Sequence, residues 1–478
     1  MNRDDADLTE ELENAPEIAR TPEDLEDLAL GDDYALNPEY VEMVIDAADR
    51  GDDERLHELV GALRSEDVAD LMGFLTADYR EQVIPQLDPE TLGEVLSELD
   101  TNLREEILET VPSATLARAL EEMDSDDAVD LVEDLEEDKR EEVLAELDQT
   151  DRDAIETALK YEDETAGRLM QREVLAAPSF WTVGQTIDHV RAAGEDLPEL
   201  FFDIYVIDPA YKPTGAVPVS QLLRAQRGTA LAEIMEPVTE IDVGMDQEEV
   251  AYIFDKYHLI SAPVVDPGGR LVGQITVDDI VGVIQEESEE DILALAGVSD
   301  AGRDATIWGI ARSRLPWLAV NTLTAAAAAS VIGVFQDEIA KLVTLAILMP
   351  IVASLGGNAG TQSLAVAVRA LASRELNAAN ALRIVLRELA VGGINGLALA
   401  AIMSVAVYLV FRDPLLCLTI ALALIINLVA ASTAGVLAPL ALDRLGRDPA
   451  VSSPIFVTFL TDFVGFLSFL GLAGLILL

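Results

Sequence analysis

The first third of the chain carries apolar positions that recur every 12 residues. Each repeat places two apolar side chains four positions apart, as at Leu59 and Leu63, and the pairs continue to Ile155 and Leu159. This spacing puts both side chains on one helical face, and about two and a half turns plus a corner fit in each unit. The pattern predicts an all-α superhelix over residues 37–165, after an acidic, disordered tail over residues 1–36.

Short β-type runs that alternate with helical runs follow over residues 166–285. The order β-α-β-β-α occurs twice, with helices predicted near Val183 to Ala193 and from Gln247. Two such copies side by side resemble an α/β pair of CBS domains. The six strand-like runs read VLAAP, IYVID, GAVPV, TEIDV, APVVD and LVGQITV.

The resemblance to CBS domains also suggests a ligand. In CBS modules that bind adenine nucleotides, a Thr or Ser three residues before an Asp often holds the ribose, and Thr276 and Asp279 fit this pattern. The first copy has Pro218 and Gln221 at these places. The resemblance therefore implies one candidate site for ATP or another adenine nucleotide, in the second copy.

Five long apolar runs close the chain. Each is long enough to cross a hydrocarbon core, which takes roughly 20 residues. They predict an α-helical transmembrane bundle of five spans over residues 316–478, preceded by an acidic linking helix over residues 286–315. The runs are Pro316–Phe335, Leu342–Val368, Leu389–Phe411, Pro414–Leu442 and Pro449–Leu478.

Arginine placement predicts the orientation of these spans. The segment before the first span, the second connection and the fourth connection are rich in arginine, and positive residues are retained on the cytoplasmic side. The first residues, MNRDDADLTEELENAPE, have neither the basic nor the apolar part of a secretory signal. We expect a multi-pass protein of the plasma membrane, with cytosolic N-terminal domains and an extracellular C-terminus.

Charge narrows the range of partners. The formal net charge is -57, and residues beyond 300 contribute nine acids against eleven bases, so the excess of acid lies before the spans. Such a charge repels nucleic acid and favours cations. Five lysines against 26 arginines, among 88 acids, are typical of a halophilic, acidic proteome, which explains most of the carboxylates.

Metal-ligand composition points to a hard cation. One cysteine and three scattered histidines exclude a thiolate or histidine metal cluster. A metal in this protein is therefore expected to be bound by oxygen, as Mg²⁺ is.

Asp462 is the one charged side chain within the five apolar runs, and it falls near mid-membrane on a straight helix. A carboxylate at that depth costs a few kcal/mol to insert, and such residues usually mark an ion path. Thr458 lies one turn earlier on the same face. In the second run, Pro350 and the glycines of MPIVASLGGNAGTQS predict a weakened helix, with Asn358 adding a neutral oxygen, although close helix packing also explains the glycines.

The acidic linking helix suggests a switch. Five acids lie in the segment Gln285–Asp291, and they should repel one another and any acidic neighbour unless cations intervene. Divalent ions that bridge this helix to acids on other domains would lock the cytosolic region, and their loss would release it.

Together, these domains in this order resemble an MgtE-family magnesium channel, over nearly all of the chain after about residue 37. The most specific strings are GGNAGTQS, GRDPAVSSP and TDFVGF. The resemblance implies a homodimer in a lipid bilayer with a pore between subunits, Mg²⁺ as substrate and regulator, and a linking helix that closes the pore when cytosolic Mg²⁺ is high.

The resemblance also assigns residues. It implies that Asp462 meets hydrated Mg²⁺ in the pore, with Asn358 and Thr458 nearby. The sensing positions that match around the CBS pair, the linking helix and the superhelix are Asp246, Glu248, Glu287, Glu290, Asp291, Asp126 and Asp130.

Two other functions stay open at this point. One is a coupled carrier for Mg²⁺ or another divalent cation, against which the lack of further acids in the apolar runs argues. The other is a membrane-anchored CBS nucleotide sensor without transport, for which a buried charge at Asp462 has no use. No P-loop, nucleophile elbow or metal-hydrolase spacing is found, so an enzyme is not expected.

Overall fold

The structure, a computed structural model, describes residues 25, 28–31, 34–194, 197–198, 200–298, 307–376 and 380–478. It divides into two compact units, Met1–Val281 and Gly282–Leu478, which are taken separately below. Most of the predicted tail, and Arg303 before the first span, lie outside the described residues.

Short helices form the first part of the first unit, and the 12-residue period is visible in their first residues. From Asp53 to Gln149, each helix begins 12 residues after the one before. The helices are α1 (Pro38–Arg50), α2 (Asp53–Val60), α3 (Ser65–Phe74), α4 (Ala77–Val83), α5 (Pro89–Glu98), α6 (Thr101–Thr110), α7 (Ser113–Leu120), α8 (Ser125–Glu133), α9 (Glu137–Glu146) and α10 (Gln149–Ala158).

Alternate helices pack together: α3 contacts α5, α5 contacts α7, α7 contacts α9, and α8 contacts α10. The repeating apolar pairs, such as Leu131 with Leu135, are buried in a core shared along the row. The predicted superhelix is thereby confirmed, and its stability comes from contacts between near neighbours in the stack.

The packed chain begins before residue 37. Leu25, Ala29 and Leu36 are buried in the superhelix core, so these described residues of the predicted tail belong to the packed domain. The hydroxyl of buried Tyr40 donates to the Leu59 carbonyl at 2.7 Å and ties α1 to α2. The apolar side chains at these tail positions could have predicted that they pack. They were overlooked because the composition of the segment is mostly acidic.

The CBS pair consists of two three-stranded sheets with the same topology. In each, the first strand pairs in parallel with the second, and the second pairs antiparallel with the third. The elements are α11 (Ala166–Leu169), β1 (Ala176–Pro178), α12 (Val183–Ala193), β2 (Asp203–Ile207), β3 (Pro213–Pro218), α13 (Val219–Arg224), α14 (Leu231–Ile234), β4 (Ile241–Asp242), α15 (Gln247–Tyr257), β5 (Ser261–Val265), β6 (Leu271–Thr276) and α16 (Val277–Leu295).

A polar relay joins the two copies. The Tyr205 hydroxyl donates to Ser261 Oγ at 2.9 Å, and Ser261 Oγ donates to Asp203 Oδ2 at 2.9 Å. Burial raises the pKa of Tyr205 and of Asp203. Because buried polar groups need hydrogen-bond partners, these bonds favour one alignment of the two copies.

Five membrane helices make up most of the second unit and confirm the predicted bundle. They are 28 to 31 residues long and apolar enough to cross a membrane. A short helix, α18 (Gln336–Lys341), follows the first of them. The five are α17 (Ile307–Val334), α19 (Thr344–Ala372), α20 (Ala381–Phe411), α21 (Pro414–Arg444) and α22 (Pro449–Ile476).

The expected weakening of the second span is wrong. α19 is a continuous α-helix from Thr344 to Ala372 and runs through Pro350 and the glycines. A Cβ at Gly356 would lie 2.1 Å from Asn427 Nδ2, and one at Gly360 would lie 2.6 Å from Val457 Cγ1. The glycines therefore permit close helix packing, which is how small residues commonly act in membranes.

Candidate functional site

The predicted pore residues lie on α19 and α22, two helices that pack against each other. Gly360 on α19 approaches Val457 and Thr461 on α22, which are the neighbours in sequence of Thr458 and Asp462. Asn358 and Thr458 are exposed on the single chain, and Asp462 is half-buried. The structure thus brings the two helices together, but no hydrogen bond joins the three polar side chains within the described part of the chain.

Asp462 has no partner among the described residues: no side chain there donates to it, and no cation pairs with it. A carboxylate inside a membrane helix is costly unless a charge or a donor compensates it. Its environment therefore favours a cation supplied from outside the chain.

Asn427 fixes the helices around this carboxylate. It is fully buried on α21, and its Nδ2 donates to the Val352 carbonyl of α19 at 2.9 Å. Gly465 on α22 leaves the same amide room, since a Cβ there would lie 2.9 Å from Nδ2. One side chain thus sets the spacing of three helices.

Sequence reasoning missed a second buried carboxylate of the membrane unit. α20 begins eight residues before the predicted span, and this added part contains Glu388, which is 9% exposed. Glu388 Oε2 accepts a hydrogen bond from Ser363 Oγ of the GGNAGTQS string at 3.0 Å. No pattern in the sequence links Ser363 to Glu388, because the two residues are 25 positions apart and lie on different helices.

In the first unit, α8 presents a cluster of carboxylates to the start of α16. Asp126 is 8% exposed, and its Oδ1 has no hydrogen-bond partner in the described part of the chain. Asp279, predicted as a nucleotide ligand, lies close enough to raise the pKa of both Asp126 and Asp127. Its own Oδ2 accepts from Thr276 Oγ1 at 2.7 Å.

The electrostatics of this cluster favour a bound cation. Burial, with Asp279 and other acids nearby, raises the pKa of Asp126 well above its ordinary value and that of Asp127 to about 7. Burial raises the pKa of Asp279 as well. Carboxylates that crowd in this way are stable when protonated or bridged by a divalent ion. Asp127 and Asp279 were not predicted to take part, because their proximity is set by folding across about 150 residues of chain.

Asp130, predicted with Asp126, lies one turn further along α8 in a different environment. Asp130 is exposed, and partial desolvation with Glu133 and Asp134 nearby raises its pKa to about 6, while Arg104 and Arg168 oppose the rise. The two predicted sensing residues of the superhelix therefore differ in their surroundings: Asp126 lies among acids, and Asp130 lies among both acids and guanidinium groups.

Asp246 and Glu248 lie at the start of α15. The Asp246 carboxylate caps this helix by accepting from the Glu248 backbone N–H at 3.0 Å. Such capping is a structural role that leaves lone pairs of the carboxylate available.

In the second unit, Asp291 on α16 lies near Asp448, which caps α22. Burial, together with the charge of Asp448, raises the pKa of Asp291. Glu290 borders a cavity of about 350 Å³ that is also lined by Glu286, Glu289 and Trp317, and Glu287 lies on the same helix. Asp448 stands in the GRDPAVSSP string but was not singled out from sequence.

The described residues contain no group of three or more His, Cys, Asp or Glu side chains arranged to hold a metal ion directly. Mg²⁺ usually keeps several waters and takes only one or two carboxylates from the protein. Pairs such as Asp126 with Asp279, and the lone Asp462, suit that mode of binding better than they suit a fully dehydrated ion.

Comparisons with known proteins agree with this architecture. The family model MgtE, described as a divalent cation transporter, matches residues 349–472. The MgtE intracellular N domain matches residues 41–164, and the CBS domain matches residues 231–286.

Individual relatives cover most of the chain. The magnesium transporter MgtE of Thermus thermophilus is 35% identical over 334 residues, 68% of this chain and 73% of that protein. That of Enterococcus faecalis is 33% identical over 322 residues, 67% of this chain and 71% of that protein. A crystal structure of the cytosolic domain of the Mg²⁺ channel MgtE in complex with ATP is 33% identical, with a TM-score of 0.49, and covers 51% of this chain and 99% of that one. On the identity and coverage of the two transporters, the chain belongs to the MgtE family.

Proposed function

We propose that this protein is a magnesium-selective channel that conducts Mg²⁺ into the cytosol through its membrane helices. The observation that carries the proposal is Asp462, a half-buried carboxylate on an intramembrane helix without a partner among the described residues. The choice of Mg²⁺ as the cation comes from the relatives, which are named magnesium transporters. One carboxylate with neutral oxygens holds a mostly hydrated divalent ion weakly enough to release it.

We also propose that the pore forms between two copies of the chain. Asn358 on α19 and Thr458 on α22 are exposed on a single copy, although both belong to membrane-spanning helices. Uncharged polar side chains gain nothing from contact with lipid tails, so a water-filled path lined by a second copy suits them.

The test of conduction is Mg²⁺ flux into liposomes that contain purified protein or the Asp462→Asn variant. We expect the substitution to reduce flux at least about tenfold, because it removes the charge that replaces part of the hydration shell. Asp443→Asn is the matched control, since it removes the same charge from an exposed position. Flux that persists in Asp462→Asn would refute the pore assignment.

Regulation by cytosolic Mg²⁺ is the second part of the proposal. Asp126, Asp127 and Asp279 would share a hydrated ion between superhelix and CBS pair, and Asp291 and Asp448 would share another. A Mg²⁺ ion that bridges these carboxylates relieves their mutual repulsion, which burial intensifies. High Mg²⁺ therefore favours the docked state, in which the superhelix is held against the CBS pair, and with it the closed pore. Flux should then fall as Mg²⁺ on the cytosolic side is raised, and Asp126→Asn with Asp279→Asn should blunt that fall.

A coupled carrier is the competing function, and one observation favours it. Glu388 is a second buried carboxylate in the membrane unit, which a proton relay could use. Channel flux should be independent of imposed proton and sodium gradients, and Glu388→Gln should leave it so. Dependence on either gradient would favour the carrier.

Adenine nucleotide binding at Thr276 and Asp279 stays a prediction. The Thr276 hydroxyl is committed to the Asp279 carboxylate, so a ribose would have to exchange for that hydrogen bond. Calorimetric titration of ATP into wild type and Thr276→Val tests it, and equal binding by both would remove this site.

A further inference from the structure

Arg168 is a buried arginine whose guanidinium is only partly paired. The residue is 8% exposed. Its Nη2 donates to Glu133 Oε1 at 3.0 Å and to Asp163 Oδ1 at 2.5 Å. Its Nε and Nη1 are buried and have no hydrogen-bond partner in the part of the chain that the structure describes. Burying a charged group whose donors are only partly paired costs free energy, so the presence of Arg168 at this position calls for an explanation.

The position of Arg168 is set by the CBS side of the first unit. It lies on α11, where Gly167 N–H donates to the Val243 carbonyl at 2.8 Å and Ala166 N–H donates to the Met245 carbonyl at 2.7 Å. Gly167 permits this approach, since a Cβ there would lie 2.9 Å from the Val243 carbonyl oxygen. The turn is therefore anchored on the second CBS copy, while Glu133 belongs to α8 of the superhelix. The Arg168–Glu133 pair thus crosses from one domain to the other.

The acids of α8 differ in the charged groups that lie near them. Asp126 and Asp127 face Asp279 and other carboxylates. One turn later, Arg168 and Arg104 lie near Asp130. Arg104 is already paired with Asp134 at 2.5 Å. Arg168 is therefore the cation that the CBS side contributes to this end of α8.

We propose that Arg168 acts as a tethered cation that replaces a divalent ion at the C-terminal end of α8, so that the superhelix docks on the CBS pair with a lower requirement for Mg²⁺. Arginine suits this role because it stays charged at any physiological pH and is weakly hydrated. A cation attached to the chain is also present at the interface without binding from solution. The inference rests on the proposed Mg²⁺ sensing and adds a residue that sets its threshold.

The test is hydrogen–deuterium exchange of the Ser125–Glu133 segment in purified full-length protein, in chelator and across a Mg²⁺ titration. We expect Arg168→Gln to exchange faster in chelator and to raise the Mg²⁺ midpoint roughly threefold to tenfold, as for loss of a partly buried ion pair. Arg168→Lys, which keeps the charge, should recover part of the shift. Arg172→Gln is the matched control, because Arg172 is exposed and forms no ion pair with another described residue.

The outcomes separate this inference from the proposed function. If wild type is protected by Mg²⁺ and Arg168→Gln has the same midpoint and the same exchange in chelator, the tether is refuted and the sensing stands. If wild type does not respond to Mg²⁺ but Arg168→Gln exchanges faster, the tether stands and the sensing is refuted. Should Arg168→Gln not fold, Glu133→Gln breaks the same pair from the superhelix side, where the carboxylate is 40% exposed, and the same shift is expected.

Discussion

Asn427 and Gly356 show how a single side chain can decide the spacing of membrane helices. The amide occupies the space that a Cβ on Gly356 would need and donates to the α19 backbone. Neighbouring Gly357 has nothing within 4 Å of its Cβ position. Of these two adjacent glycines, Gly356 has no room for a side chain and Gly357 has room for one. The sequence alone does not show this difference.

A first prediction compares these two glycines. Gly356→Ala should destabilise the membrane unit by about 1–3 kcal/mol, because the added methyl group must displace Asn427. Gly357→Ala should be tolerated, since a helical alanine is favoured over glycine by about 1 kcal/mol. Thermal unfolding of the detergent-solubilised protein measures both, and equal effects would contradict the packing described.

A second prediction concerns the pH dependence of the Asp126, Asp127 and Asp279 cluster. Their pKa values are raised in the folded protein, to about 7 for Asp127. Without divalent ions, the contribution of this cluster to the stability of the docked state should be fully present below pH ~4 and should be lost as pH rises through about 7. Protons compete with Mg²⁺ for these oxygens, so apparent Mg²⁺ affinity should fall on acidification from pH 8 to pH 5.5. Exchange protection of α8 at the two pH values, with and without Mg²⁺, would show whether both signs hold.

At the scale of elements, periodicity predicted most of the fold. The 12-residue pattern located the helices of the superhelix, and the β-α-β-β-α order located both CBS copies. Two membrane helices, α17 and α20, begin eight or nine residues before their apolar runs, because helical hydrogen bonding continues past the charged residues at a membrane edge. Glu388 escaped notice for that reason. The Asp291–Asp448 and Asp126–Asp279 pairs join distant segments, and neither pattern nor spacing could have matched them.

A third prediction belongs to the contact between α16 and the N-terminus of α22. Asp448→Asn keeps the helix cap, since asparagine caps as well as aspartate, but removes the charge near Asp291. If the pair shares Mg²⁺, the internal Mg²⁺ concentration that halves flux should rise about tenfold. Flux at low Mg²⁺ should be unchanged, and an unchanged half-inhibiting concentration would exclude Asp448 from regulation.

At the scale of the whole molecule, the main feature is the uneven distribution of charge along the chain. The excess of acid lies before residue 300, while the membrane region is close to neutral. Self-repulsion of this kind destabilises compact states when counterions are scarce.

A fourth prediction follows from that distribution. In chelator, lowering KCl from about 2 M to about 0.1 M should lower the melting temperature of the first unit, since screening weakens as the Debye length grows to about 10 Å. Millimolar Mg²⁺ at the low salt concentration should restore much of the loss by binding to the docked state. A melting temperature independent of both salts would argue that the carboxylates are already compensated within the fold.

Alternate packing in the superhelix has a consequence for how its length can change over evolution. Because α3, α5, α7 and α9 pack in one row, removal of a single 12-residue unit would shift every later helix into the opposite row. Loss or gain of two units together, 24 residues, would return each helix to its own row with its apolar face turned inward. Insertions and deletions among related superhelices should therefore accumulate in multiples of 24 residues rather than 12.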